Sequence, residues 1–338
     1  MLNEATQKLI EELTKKLELG KESISSSFGE ILVLLIEKLQ LSQDKKFVFL
    51  LAGRTGVGKS STVNSLLGQQ IATVGKYDAT TIEVQEYEHE INGVKCSIID
   101  TPGLCDDIPE KGNNEKYIEL IQNRVNQIDL LWFVTRLDET RVTNDEKQGI
   151  QIISEAFTPK VWEHSVIVFT RADKADDYLE DLQQRTKRIR DEIAKYTGNE
   201  IANTIPAIAV DNKNQTTPDG KRWLEELYTQ VLIRMSERGA IPFLMATSSR
   251  INKSQPNKNN KEPNWSFYNK YESPEKVDHV NDFTFTGIQK ELIKKKLLEV
   301  IPALALAGAG VGATIGGPVG AAIGGVIGTA IGSILYFF

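Results

Sequence analysis

Cysteine and histidine are scarce in this chain, which contains 2 cysteines and 3 histidines among its 338 residues. Cys96 and Cys105 cannot form a disulfide framework, and neither lies in a metal-ligand cluster with the histidines. So few cysteines indicate a reducing compartment. The N-terminus lacks the basic patch and apolar core of a secretory signal, so we expect any membrane contact to come from elsewhere in the chain.

An excess of positive charge is also lacking, because 40 Lys and Arg residues stand against 46 Asp and Glu residues, for a formal net charge of −6. This balance argues against a nucleic-acid partner. Hydrophobic residues make up 40% of the chain, which is enough to bury one sizeable α/β core with additional segments, or two small domains, and one domain with additional segments fits better.

A glycine-rich turn follows the apolar run 47–52, which is typical of a buried strand, and the turn matches G-x-x-x-x-G-K-[ST]. In this arrangement backbone N–H groups surround phosphate oxygens, and the next helix directs its N-terminus at the same anion. Lys59 is expected to bind the β- and γ-phosphates and Ser60 a Mg²⁺ ion, unless the run is a chance glycine-rich turn. The predicted phosphate-binding residues are Gly53, Thr55, Gly56, Val57, Gly58, Lys59, Ser60 and Ser61.

A second motif, D-T-P-G from Asp100 to Gly103, ends a hairpin predicted over 82–91 and 94–100 around Asn92-Gly93. A carboxylate at the end of a buried strand beside a phosphate loop is placed to organise Mg²⁺, and we assign Asp100 to this role. The Gly103 N–H is then expected to contact the γ-phosphate. Taken alone, D-T-P-G is also compatible with an ordinary turn.

Strands and helices alternate along the rest of the chain. This alternation predicts an α/β fold with a mainly parallel sheet and helices on both faces, and ligands at the carboxyl ends of the strands. Strands are predicted at about 129–135, 164–170 and 205–210, and helices near 113–127, 144–157, 176–197 and 220–237.

The choice of base depends on Thr170-Arg171-Ala172-Asp173, which follows a predicted strand. A carboxylate in the plane of guanine accepts hydrogen bonds from the N1–H and the 2-amino group, a donor pair that adenine does not offer. Asp173 is therefore expected to select guanine, with Thr170 nearby and the Arg171 stem packed over the base. The alternative is that Asp173 caps the following helix.

Several motifs together resemble the septin-related GTPases, and within them most closely the translocon receptor GTPases of the chloroplast outer envelope and the immunity-associated (AIG-type) GTPases. The run R-L-D-E-T-R-V is the most specific of these motifs, and the likeness covers roughly residues 25–240. The residues that carry it are 53–68, 100–104, 136–142, 144–147, 210–213 and 217–223.

The resemblance implies GTP and GDP as ligands, Mg²⁺ as cofactor and a GTP-dependent homodimer whose nucleotide sites face each other. Arg141 matches the arginine that reaches toward the partner's nucleotide, and whether it acts in catalysis or only in dimer contact stays open. Thr80 or Thr81 matches the threonine that senses Mg²⁺ and γ-phosphate, and Asp211 and Asn212 match the base-contacting loop. The implied catalytic set is Lys59, Thr81, Gly103 and Arg141, and the implied metal set is Ser60, Thr81 and Asp100.

Leu104 occupies the position after D-T-P-G where efficient GTPases carry a glutamine that orients water. A leucine side chain cannot hold a water molecule, so slow intrinsic hydrolysis is expected. An arginine supplied by a second subunit is one remedy and is worth about 10³–10⁵ in rate where it acts directly.

Charge disappears after Glu299, and glycine recurs at every fourth position from Gly308 to Gly332. Such a stripe lets two helices approach closely in a bilayer, and the stretch is about twice the roughly 20 residues that one crossing needs. We expect a helical hairpin or one tilted or kinked membrane helix, with Lys290 and 294–296 on the cytosolic side. The alternative is a tail folded against the protein.

The sequence thus predicts amphipathic helices over 1–44, a GTP-binding domain over 45–240, a flexible polar linker over 248–282 and a basic segment with a membrane anchor over 283–338. The predicted function is a membrane-associated GTPase facing the cytosol, whose nucleotide state controls dimerisation or partner docking. Two alternatives are a membrane-perturbing or scaffold protein with the tail as effector, and an ATPase of the same fold.

Overall fold

The structure is a computed structural model and describes a central domain with part of the C-terminal segment. The predicted N-terminal helices, most of the linker, the glycine-rich tail and residues Thr80, Thr81, Gly103 and Leu104 lie outside the described residues. Among the residues that are described, no helix combines the length and apolar character needed to cross a bilayer. The described residues are 46–72, 85–101, 118–119, 121–122, 127–247, 250–251, 283–293, 295–297 and 299–300.

A six-stranded sheet, in the order β2-β3-β1-β4-β5-β6, forms the centre of the described part. β2 and β3 are antiparallel and every other neighbouring pair is parallel, which confirms the predicted α/β fold with a mainly parallel sheet. Asn92 and Gly93 join the hairpin with positive φ values of 51° and 75°, as this turn sequence predicts. The strands are β1 (Lys46–Ala52), β2 (Gln85–Ile91), β3 (Val94–Asp100), β4 (Leu130–Arg136), β5 (Ser165–Thr170) and β6 (Ala207–Ala209).

The helices cover both faces of the sheet. Residues 287–300 are also helical, apart from residues 294 and 298, which are not described. Two short 3₁₀ helices occupy Pro159–His164 and Ala172–Lys174. The α-helices are α1 (Lys59–Leu67), α2 (Asn144–Ala156), α3 (Tyr178–Thr197), α4 (Asn199–Thr204), α5 (Trp223–Arg234) and α6 (Glu237–Thr247).

Two hydrophobic layers enclose the sheet because successive side chains of a strand point to opposite faces. Along β1, Phe47, Phe49 and Leu51 face a layer that contains α5, α6 and residues 283–300. Val48, Leu50 and Ala52 face the other layer, which contains α2 and α3. Strands β1, β4 and β5 are buried on both sides, and the carboxyl ends of such strands are where ligands bind in an α/β sheet.

Helix α6 was not predicted, because Pro242 interrupts the helical pattern and ordinarily ends a helix. The helix forms nevertheless, since its side chains fill the layer beside β1. The ring centre of Phe243 lies 5.7 Å from that of Phe47 and 5.9 Å from that of Phe49. Tertiary packing therefore outweighs the local cost of a proline.

The segment from residue 283 belongs to the core of the domain, whereas the sequence placed it with the membrane anchor. Phe283 and Phe285 stack near Tyr228, at ring-centre distances of 4.5 and 5.3 Å. Lys296, expected among the cations at the membrane surface, is 9% exposed, and its Nζ donates to the Met235 carbonyl at 2.7 Å. Burial lowers the pKa of this ammonium group. Ile293, Leu297 and Val300 of the same helix pack in the core, which brings Lys296 into the protein interior.

Candidate nucleotide-binding site

The phosphate loop, residues 53–58, joins β1 to α1 in a conformation that requires glycine. Gly53, Gly56 and Gly58 have φ values of 147°, 76° and 102°, a region that residues with a side chain rarely adopt. A Cβ atom on Gly53 would lie 2.1 Å from the Val134 carbonyl oxygen of β4. The loop is therefore pressed against the sheet, and its backbone can curve around a ligand only because these positions carry no side chain.

Lys59 begins α1 and folds back over the phosphate loop. Its Nζ donates to the carbonyl oxygens of Gly53 at 2.7 Å and Arg54 at 3.1 Å, and the residue is 6% exposed. Asp100 ends β3, directly beside β1, and its Oδ1 lies 3.6 Å from the same Nζ. The two residues predicted to bind phosphate and organise Mg²⁺ are thus in contact, although 41 positions separate them in the sequence.

Thr170, at the end of β5, and Asn212, after β6, support the phosphate loop and the start of α1. The Thr170 Oγ1 lies 2.6 Å from the Val57 carbonyl oxygen, to which it donates, and 3.2 Å from that of Thr135. The Asn212 Nδ2 donates to the Thr62 Oγ1 at 2.9 Å, and Thr62 in turn donates to the Gly58 carbonyl. Both residues were predicted as nucleotide contacts, and Thr170 contacts the loop directly whereas Asn212 contacts α1 through Thr62.

The turn after β5 presents Asp173 at the same edge of the sheet. Arg171 has a left-handed conformation with φ 58°, which directs the chain into the 3₁₀ turn Ala172–Lys174. The Asp173 Oδ2 lies 3.2 Å from the Lys174 Nζ and 3.9 Å from the Lys213 Nζ. Helix α3 is capped by Asp177, whose carboxylate accepts the Glu180 N–H, so Asp173 does not cap that helix.

Asp211 organises its own turn after β6. Its Oδ1 accepts the backbone N–H groups of Lys213 at 3.0 Å and Asn214 at 3.2 Å, and its Oδ2 accepts the Asn214 side-chain amide at 2.7 Å. The residue is 2% exposed. A buried carboxylate with these partners shapes the loop that carries Lys213 to Asp173, a role that the sequence motif did not reveal.

Charged side chains connect the phosphate loop to residues 137–143, which we call the Arg141 loop. Arg136 forms a two-bond pair with Asp138, at 2.9 and 2.6 Å, which lowers the pKa of the Asp138 carboxyl and raises that of the guanidinium. Arg54 of the phosphate loop pairs with Glu139. Arg141 itself is exposed. The R-L-D-E-T-R-V motif therefore lies beside the phosphate loop, with Arg141 on the surface.

The sequence assigned no role to Glu146 or Arg185, and they form a buried pair beneath this loop. The Arg185 Nη2 lies 2.7 Å from the Glu146 Oε1, and both side chains are almost fully buried. Glu146 also completes a capping box with Thr143 at the start of α2. The T-x-x-E spacing of Thr143 and Glu146 was a usable signal for this cap, whereas no local pattern points to Arg185.

The edge formed by the carboxyl ends of β1, β3, β4, β5 and β6 thus unites the phosphate loop with Lys59, Asp100 and Asp173. Ser60 and Ser61 lie in the first turn of α1, and Thr55 is exposed in the loop. No group of three or more His, Cys, Asp or Glu side chains suited to a metal occurs among the described residues. This donor set fits Mg²⁺, which commonly takes one or two protein ligands and completes its shell with phosphate and water.

Comparisons with known proteins point to one family. Translocase of chloroplast 33 from Arabidopsis thaliana is 28% identical over 246 residues, which cover 66% of this chain and 80% of that protein. Translocase of chloroplast 34 from the same plant is 30% identical over 204 residues, covering 54% and 63%. For Translocase of chloroplast 159, 129 residues match at 33% identity, and they span 8% of that protein.

Solved structures of Toc33 from Arabidopsis thaliana are also similar. A dimerization-deficient mutant is 27% identical with a TM-score of 0.49, over 64% of this chain and 91% of that one. A complex with Mg²⁺ and GMPPNP is 26% identical with a TM-score of 0.47, over 64% and 92%.

The AIG1 family model matches residues 47–262, from the first strand of the sheet to beyond α6. The predicted resemblance to AIG-type and translocon receptor GTPases is confirmed, whereas the broader septin-related grouping stays a prediction. Because the family model spans more than half of the chain, this protein belongs to the AIG1 family.

Proposed function

We propose that the protein binds GTP with Mg²⁺, hydrolyses it slowly to GDP and phosphate, and uses its nucleotide state to control dimerisation at a membrane. The contact of Lys59 with Asp100 at the open end of the phosphate loop is the observation that carries this proposal. It supplies a cation for phosphate, the Lys59 Nζ, and a carboxylate for the metal, the Asp100 Oδ1, 3.6 Å apart. Glycine backbone and the first turn of α1 complete the cradle.

The residues of the chain then have distinct tasks around the triphosphate. Lys59 binds the β- and γ-phosphates, the Ser60 hydroxyl contacts the metal, and Asp100 orients the water of the metal shell. Mg²⁺, when bound, neutralises charge that develops on the phosphate oxygens. Thr81 and Gly103 remain proposals for the γ-phosphate side. Thr170 and Asn212 act on the nucleotide through the loop that they hold.

Base selection is assigned to Asp173, and a competition experiment tests it. We expect isothermal calorimetry to show tighter binding of GTP and GDP than of ATP. Lys59→Ala should weaken GTP binding by about 10- to 100-fold, because it removes a hydrogen bond to a charged phosphate group. Asp173→Asn should lose GTP affinity and gain affinity for xanthosine triphosphate, because xanthine presents an oxygen where guanine presents its amino group.

Asp177→Asn is the matched control, since Asp177 is an exposed carboxylate four positions further along the chain. It should leave nucleotide preference unchanged. Equal affinity for ATP and GTP would refute the guanine assignment and favour the ATPase alternative.

Dimerisation is proposed through Arg141. Two features support it: Arg141 is exposed on a loop whose Glu139 pairs with Arg54 of the phosphate loop, and Leu104 cannot orient a water molecule for hydrolysis. Sedimentation with a GTP analogue should show a dimer, and Arg141→Ala should weaken it. Lys147→Ala removes an exposed cation of the neighbouring helix α2 and should leave the dimer unchanged. An unchanged dimer constant for Arg141→Ala would remove this residue from the interface.

Membrane attachment is proposed through residues 301–338, on the basis of the uncharged, glycine-striped sequence. Because the helix at 287–300 packs in the core, a chain ending at residue 300 keeps the described domain whole. The full chain should float with liposomes and the shortened chain should stay in solution with its GTP cycle intact. Leakage caused by the tail peptide alone would instead favour the membrane-perturbing alternative.

A further inference from the structure

Two arginines of α3 bind the backbone of the Arg141 loop. The Arg185 Nη1 donates to the Arg141 carbonyl oxygen at 2.7 Å. The Arg188 Nη1 donates to the preceding carbonyl, that of Thr140. Adjacent carbonyl oxygens are thus held by one helix from a distant part of the sequence, while the Arg141 side chain is directed to the surface.

The Arg185 guanidinium also reaches both ends of this loop. Its Nη2 donates to the Oγ1 of Thr135, the penultimate residue of β4, at 2.9 Å, and pairs with Glu146. The Glu146 carboxylate accepts the Thr143 N–H at 2.8 Å, where α2 begins. One buried ion pair therefore fastens the start, the middle and the end of the loop.

The stability of the fold does not by itself account for such a pair. Burying two charges costs free energy that their attraction often only offsets, and apolar replacements of similar volume are commonly as stable. An apolar pair, however, cannot bind a carbonyl oxygen. Arg185 donates to one backbone carbonyl of the Arg141 loop and to Thr135 and Glu146, which flank the loop, and this indicates that the pair serves the position of that loop.

We propose that Arg185 and Glu146, supported by Arg188, are positioning residues that hold the Arg141 loop ready for a second copy of this chain. The inference rests on the proposed dimer. A loop that is already ordered loses less conformational entropy on association, so the dimer forms more tightly. Arg185 itself contacts neither partner nor nucleotide in this arrangement, because it is 1% exposed.

Two variants test the proposal without removing the buried cation outright. Arg185→Lys keeps the charge near Glu146 but replaces with one nitrogen the two that bind the Arg141 carbonyl on one side and Thr135 and Glu146 on the other. Arg188→Ala removes an exposed side chain, so it should not affect folding. Sedimentation with a GTP analogue should show the dimer weakened by about tenfold for the first variant and about threefold for the second.

Lys187→Ala is the control, as it removes an exposed cation from the same helix. It should leave the dimer constant unchanged. GTP binding to the dilute monomer, measured by calorimetry, should be the same in all three variants, because none of these side chains lies in the phosphate loop.

A double-mutant cycle separates positioning from general destabilisation. If Arg185 acts through Arg141, adding Arg185→Lys to Arg141→Ala should change the dimer constant by less than about twofold. Additive losses of dimer affinity would show that Arg185→Lys acts by general destabilisation, and would overturn the proposal.

The outcomes also separate this proposal from the proposed function. If Arg141→Ala weakens the dimer but Arg185→Lys and Arg188→Ala do not, positioning is wrong and the proposed dimer stands. If Arg141→Ala has no effect, both fail. Should Arg185→Lys not fold, Arg188→Ala decides alone: an unchanged dimer constant overturns the proposal, and the threefold loss supports it.

Discussion

The phosphate loop and the Arg141 loop lie side by side, yet they are held by different forces. Gly53 and Gly58 give the phosphate loop its shape, and the neutral hydroxyl of Thr170 secures it. The Arg141 loop depends on charge, through Arg185 with Glu146 below it. The first arrangement depends mainly on backbone conformation and a neutral hydrogen bond, whereas the second depends on a buried ion pair.

This difference suits the two tasks. A loop that receives a triphosphate must keep its own N–H groups for the ligand, and glycine conformation with a hydroxyl that donates to a loop carbonyl does not occupy them. A loop that presents an arginine to another molecule needs rigidity, and charged hydrogen bonds to its carbonyl oxygens supply it. Substitutions in the two loops should therefore differ in their effects on the free energy of unfolding and on GTP affinity.

The largest effect is expected for Gly53→Ala. A methyl group there meets the Val134 carbonyl oxygen at 2.1 Å, and the φ of 147° is unfavourable for alanine. The free energy of unfolding should fall by about 3 kcal/mol or more, as measured by urea denaturation. Gly56→Ala is the matched control, because no atom lies within 4 Å of its added Cβ. Its free energy of unfolding should fall by only about 1 kcal/mol. Equal losses would show that close packing against β4 is not what requires glycine.

Thr170→Val should have the next largest effect. It preserves volume but removes the donor to the Val57 carbonyl, so stability should fall by about 1–3 kcal/mol and GTP binding should weaken. Thr229→Val is the control, since it removes another buried hydroxyl, which donates to the Glu225 carbonyl within α5. Both variants should lose stability, but only Thr170→Val should lose GTP affinity in calorimetry. Unchanged affinity would show that the phosphate loop keeps its shape without this bond.

A smaller effect is expected from the pair that joins the two loops. Arg54 and Glu139 have side chains 23% and 20% exposed, so solvent screens their interaction in part. A double-mutant cycle with alanine at each position should give a coupling free energy of unfolding of about 0.5–1 kcal/mol. The coupling should shrink in 1 M salt. A coupling of zero at low salt would mean that the loops are energetically independent.

The smallest effect concerns pH. The bond from Arg136 lowers the pKa of Asp138 in the folded state. Its contribution to stability is therefore complete above the unfolded pKa of about 3.9 and is lost as the pH falls through the lower folded value. The difference in unfolding free energy between the native protein and Asp138→Asn should be constant near neutrality and shrink in acid. A difference that grows in acid would contradict the assigned direction.

Local patterns were sufficient where structure depends on neighbours in the sequence. The phosphate loop, the Asn92-Gly93 hairpin and the alternation of strands and helices were predicted because turn chemistry and side-chain period act over a few residues. Asp100 was placed beside Lys59 for a related reason: parallel strands bring their carboxyl ends to one edge.

Other features could not be read from local patterns. Helix α6 contains Pro242, and its helical form depends on packing against β1. Phe283 and Lys296 followed a polar stretch and preceded an uncharged one, so their place in the core was not evident from composition. Asp211 matched a base-contacting loop but binds its own turn.

The sequence by itself determined that a triphosphate cradle follows a buried strand, because glycine conformation and helix ends are properties of consecutive residues. Only the tertiary structure decided which polar side chains face a ligand and which hold the loops. Thr170 bonds to a carbonyl 113 positions away, and Arg185 to one 44 positions away. Hydrogen bonds at such separations exist only after the sheet and helices have assembled, and no spacing rule encodes them.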